Sequence, residues 1–150
     1  MDKNDVISTL NHLIEISRDG EFGFRTSANS VKSANLKPVF ESAAVRCAEG
    51  AQELEGKVRS LGGHPAQGGS VAGSLHRGWV NLKSVVTGMD ETAILEECER
   101  GEDAAKKAYE DALEKDLPAD VRSIIDRQYQ GVKENHDRIR DLRNTFSSAG

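Results

Sequence analysis

The chain has 150 residues, of which 37% are hydrophobic, 30% charged and only 5% aromatic, with a net charge of −5. That length suits one domain with a core built from Leu, Ile, Val and Ala. The acidic balance argues against nucleic-acid binding and against docking on anionic lipid, and no apolar run nears the roughly 20 residues of a membrane span.

Four long helices are predicted. The first covers about residues 4–33, on a stripe of Val6, Leu10, Leu13, Ser17, Phe24, Ala28 and Val31, with Gly20 and Gly23 inside it. The second covers about 38–61; Pro38 opens it, Gly62-Gly63 stops it, and Phe40, Ala43, Cys47, Ala51, Leu54 and Val58 form its stripe. A glycine-rich stretch then leads into a short helix over about 71–86, with Val71, Leu75, Trp79, Leu82 and Val86 on one side. The third long helix covers about 90–115, with Asp90 as N-cap and Ile94, Cys98, Gly101 or Glu102, Ala105, Ala108 or Tyr109, and Ala112 on its stripe. The fourth covers about 118–146, with Val121, Ile125, Gln128, Val132, Asn135, Ile139, Leu142 and Phe146 recurring every three or four residues.

Two tight connections flank one long one. This is the connectivity of a ferritin-like four-helix bundle: all-α, with a long crossover holding a short extra helix between helices two and three. Counting the 1.5 Å rise per residue puts Ser17, Glu21, Cys47, Glu102 and His136 within about 10 Å of one level. A polar layer of Ser17, Cys47, Glu102, Gln128, Asn135 and His136 is therefore expected near mid-bundle.

A di-iron carboxylate centre takes a Glu from each of two helices and Glu-x-x-His from each of the other two. Here Lys133 stands three residues before His136, Glu134 points about 200° away from it, and the second helix holds no His. Glu102 and His136, with Glu21, are the candidate metal ligands, for Fe or Mn. The competing reading has no cofactor: Glu102 and His136 share a charge-assisted hydrogen bond, and Asn135 and Gln128 complete a structural network.

Other features have plainer readings. Cys47 and Cys98 read as buried, reduced thiols. Trp79 reads as a packing anchor for the short helix. The acidic run Glu96, Glu97, Glu99, Glu102, Asp103 and the basic run Arg138, Arg140, Arg143 read as solvated faces, or as pairing surfaces between helices three and four. No nucleophile motif or phosphate loop is present. The opening MDKNDVISTL has no basic segment followed by an apolar one, so a cytoplasmic location is expected.

The segments LNHLIEISRDGEFGF (10–24), LGGHPAQGGSVAGSLHRGWVNLK (61–83), ILEECERGEDAAKKAYEDAL (94–113) and VRSIIDRQYQGVKENHDRIRDLR (121–143) carry a resemblance over nearly the whole chain. They resemble an uncharacterised, stress-associated bacterial four-helix-bundle family of the ferritin-like class, with AGSLHRGW, CERGED and NHDRIRDLR as its most specific marks. The resemblance implies a ferritin-like bundle in the bacterial cytosol and no assigned activity. Related branches look like metal-binding bundles with a Glu and a Tyr on helix one and Glu-x-x-His on helix two. Ser17, Phe24, Ala44 and Cys47 stand at those places here, leaving Glu102, Tyr109 and His136. The expectation is a non-enzymatic protein acting as a homodimer or through a protein partner, the alternative a metal-binding redox protein with a degenerate centre.

Overall fold

The computed structural model describes residues 1–67 and 77–149, with side chains as far as residue 146. Among these, five helices follow in chain order: α1 (Lys3–Ser30), α2 (Lys37–Ser60), α3 (Leu82–Val86), α4 (Glu91–Leu113) and α5 (Ala119–Ala149). Local chemistry sets their ends. Asp2 caps α1 by accepting from the Asp5 amide at 2.9 Å, and Asp90 caps α4 by accepting from the Ala93 amide at 2.8 Å. α1 stops at Ser30, short of residue 33, because Val31 turns extended. The Glu91 carboxylate accepts from the Lys32 and Ser33 amides, both at 2.9 Å, and ties this turn to the start of α4.

α1 packs along α2, α5 along α4, and α1 also meets α4, while α2 and α5 scarcely touch. The core divides into two apolar clusters. One gathers Phe24, Phe40, Trp79, Leu82, Ile94, Leu95 and Ile139; the other gathers Leu10, Leu13, Ile14, Leu54, Val58, Val121 and Ile125. Each large side chain buried there stabilises by about 1.5–3 kcal/mol. The residues between the clusters, at mid-helix, are where polar groups turn inward.

The crossover differs from the expected short helix over 71–86. Within the described residues only Leu82–Val86 is helical; residues 77–81 form turns. Val71, Gly73, Leu75 and His76 lie outside the described residues. The turns are pinned by buried charge. Arg77 ion-pairs with Asp19, which is fully buried, and reaches Glu15 at 2.9 Å. The Asn81 amide donates to Glu97 at 2.8 Å, and Glu97 is also fully buried and paired with Arg100. The acidic run is thus not a uniformly solvated face.

Trp79 is the wedge between these anchors. It is 2% exposed and meets Phe24 edge-on at 5.1 Å. Its ring lies where only glycine leaves room: a Cβ on Gly23 would fall 2.6 Å from the indole, and one on Gly101 only 2.3 Å. Gly78 combines φ +115° with a close approach to Ala104, so two constraints demand glycine there. Residues 77–79 and 101–104 therefore interlock: Gly101 makes room for Trp79, and Gly78 for Ala104.

Candidate functional site

The seam between α2 and α5 opens into a cavity of about 420 Å³ at the polar mid-level. Gly50 on α2 and Gly131 on α5 make it possible, since neither helix sends a side chain across from those points. Ser17, Cys47, Glu102 and Gln128 of the expected layer all line it, joined by Arg46 and Tyr109. Tyr109 donates from its hydroxyl to Gln128 Oε1 at 2.7 Å, so Ser17 is the donor in its 3.5 Å contact with the Tyr109 oxygen. Gln128 Nε2 then donates to the Gly50 carbonyl at 3.2 Å and to Glu53 at 2.8 Å. This chain of bonds crosses from α1 to α4, α5 and α2.

Glu102 sits beside it with its side chain 3% exposed. Arg46 Nη2 donates to Oε1 at 3.2 Å; Oε2 is buried and has no hydrogen-bond partner. Burial pushes the carboxyl above the usual range, while Arg46, Asn135 and His136 pull it back. The expected hydrogen bond between Glu102 and His136 does not form. Neighbouring positions on a helix diverge by about 100°. Asn135 therefore turns toward Glu102 and His136 turns away, to Asp103, with Nε2 2.5 Å from Oδ1. The other ring nitrogen lies 3.3 Å from Asp137. Glu21, the third candidate ligand, is held between Arg18 at 2.8 Å and Arg25 at 3.1 Å.

A di-iron pair does not fit the mid-level. Its donors would be the Glu102, Glu49 and Glu53 carboxylates, the Cys47 thiol and the Tyr109 phenol. Without a metal, burial pushes the thiol up to about 12 and raises the phenol as well, so deprotonating either to ligate an ion is costly. Of the carboxylates, Glu102 and Glu53 already face guanidinium groups, and Glu49 stands exposed. Two hard cations need several carboxylates and imidazoles converging on them.

A second group of donors lies between α4 and α5. Glu99 and Asp103, one turn apart on α4, face His136, and one ligand atom from each lies within 4.8 Å of the others. Arg143 Nη1 is 2.7 Å from Glu99 Oε2 and balances that carboxylate. The sequence reading put Glu99 and Asp103 in the charged run and missed Arg46 entirely. The i,i+4 spacing of Glu99 and Asp103 was the available signal for the first group; Arg46 lies one residue off its helix's apolar stripe and gave none.

A family model described as Domain of unknown function (DUF2383) matches residues 5–115. The chain belongs to the DUF2383 family. No curated protein sequence matches it. Among solved structures, this DUF2383 protein is similar to a dodecameric thioferritin, the bacterioferritin-related protein of Bacteroides fragilis. The TM-score is 0.79 at 14% identity, over 99% of this chain and 90% of that one. It is also similar to a ferritin-like diiron-carboxylate protein of Bacillus anthracis (TM-score 0.70, 18% identity, 97% and 99% covered). A Dps1 mutant of Mycobacterium smegmatis matches with TM-score 0.75 at 13% identity, over 94% and 96% of the chains. These likenesses make the DUF2383 chain a ferritin-like four-helix bundle. No described helix is long and apolar enough to cross a membrane.

Proposed function

We propose that this protein is a non-enzymatic, metal-binding bundle of the bacterial cytoplasm that holds one divalent ion on Glu99, Asp103 and His136 rather than an iron pair at mid-bundle. The convergence of those three ligand atoms within 4.8 Å carries the reading. One imidazole and two carboxylates suit Mn, Fe or Zn. The ion would bridge α4 and α5, and it competes with Arg143 for the Glu99 carboxylate. A stress-linked role fits a protein that sequesters metal without reacting on it.

Titration of the chelator-treated protein with Mn(II) or Zn(II), followed by calorimetry, tests this. One ion per chain is expected in the wild type. His136→Ala should weaken binding by about tenfold or more, and Arg143→Ala, which removes the competing cation, should tighten it. Glu102→Gln should leave it unchanged. Binding that survives His136→Ala and fails in Glu102→Gln overturns the proposal. Self-association is the second reading, supported by the dodecameric state of the B. fragilis neighbour. Sedimentation of the same samples reads it, and a monomer at all concentrations, with and without metal, removes it.

A further inference from the structure

The geometry points to a second, organic-ligand site: the α2–α5 cavity binds a small organic cation that donates a hydrogen bond to Glu102 Oε2. It uses none of the three proposed metal ligands, so neither reading depends on the other.

Four observations carry it. First, the cavity is of small-molecule size, about 420 Å³ against roughly 300–1,000 Å³ for such sites. Second, it holds an unsatisfied acceptor. Glu102 is 97% buried at its side chain by its 3% exposure, lines the cavity, and has one oxygen without a partner. A buried acceptor left bare costs roughly 1–3 kcal/mol, so a donor placed there is rewarded. Asn135, on the neighbouring helix, turns toward the same carboxylate, and its Nδ2 is buried short of hydrogen-bond geometry.

Third, the charges lining the cavity do not cancel. Three carboxylates, from Glu49, Glu53 and Glu102, face two guanidinium groups, from Arg46 and Arg127. Arg127 is taken up by Glu53 and Arg46 by Glu102 Oε1, while Glu49 stands exposed at the rim. One further positive charge completes the set; an anion would add to an existing excess. Fourth, part of the wall is apolar and aromatic: Ile16, Val132, Ala105 and the Trp79 indole. A cation carrying a flat apolar body can rest there while its nitrogens meet the carboxylate.

Calorimetry on the full chain with three isosteric probes tests this: benzamidinium, neutral benzamide and benzoate, with butylammonium as an aliphatic cation. Saturable binding of at least one cation is expected, with benzamide weaker by about tenfold or more and benzoate not bound. Glu102→Gln should weaken cation binding by about tenfold or more. Gly131→Leu should abolish it, because a Cβ there meets Arg46 only at an ordinary 3.7 Å and the larger side chain fills the seam. Circular dichroism confirms that each variant is folded. Equal binding of all three benzene probes, cation binding unchanged in Glu102→Gln, or no saturable binding of either cation at millimolar concentration overturns the proposal.

Discussion

Gly101→Ala is expected to destabilise the protein by about 3 kcal/mol, although alanine is the better helix former by about 1 kcal/mol. The added Cβ would stand 2.3 Å from Trp79 Cε2 and 2.4 Å from Cζ2. Trp79 is 2% exposed and wedged against Phe24, so the indole cannot slide aside without leaving the core. The cost then approaches that of losing a buried aromatic. Gly56→Ala is the matched control. It lies in α2 and its Cβ would meet nothing within 4 Å, so the helix-propensity gain appears undiminished. Urea unfolding should show the two substitutions moving stability in opposite directions. If Gly101→Ala is as benign as Gly56→Ala, the interlock of Trp79 with α1 and α4 is not what holds the crossover.

Arg46→Ala is expected to cost about 3 kcal/mol at neutral pH, because it strands a buried carboxylate with no cation. Glu102 is 3% exposed at its side chain, and Arg46 Nη2 at 3.2 Å is its charged hydrogen-bond donor. The sign of the pH dependence follows from the direction of the Glu102 shift. Burial raises its folded pKa above the unfolded value, so the folded state takes up a proton more readily. Its contribution to stability is fully present below the unfolded pKa and is lost as pH rises through the folded one. Removing Arg46 raises the folded pKa further, so the penalty in Arg46→Ala should shrink on acidification. Adding Glu102→Gln to Arg46→Ala should restore much of the lost stability at neutral pH. A penalty in Arg46→Ala that is independent of pH, and unaffected by Glu102→Gln, would mean that Arg46 contributes packing alone.

The long helices were legible because their apolar stripes repeat every three to four residues and because Asp90, Pro38 and Gly62-Gly63 punctuate them. The mid-level was legible in height but not in partner. Rise per residue places Glu102 and His136 together; it does not say that the step from 135 to 136 turns the imidazole out of the core and toward Asp103. Arg46 was illegible for a different reason. A long side chain rooted beside the stripe can reach the interior with its head while the side chain as a whole stays 32% exposed, and no periodicity marks that. In the described residues 77–81 the crossover departs from the expected helix because its anchors are not apolar repeats. Arg77–Asp19, Asn81–Glu97 and the glycines around Trp79 are long-range fits whose logic appears only when the segments are in contact.

The most direct test is elemental analysis of untagged protein from cells grown with added Fe, Mn and Zn, prepared without chelators. At most one metal ion per chain is expected, retained in Glu102→Gln and lost in His136→Ala. About two Fe or Mn ions per chain, lost in Glu102→Gln, would place an iron pair at mid-bundle and contradict it.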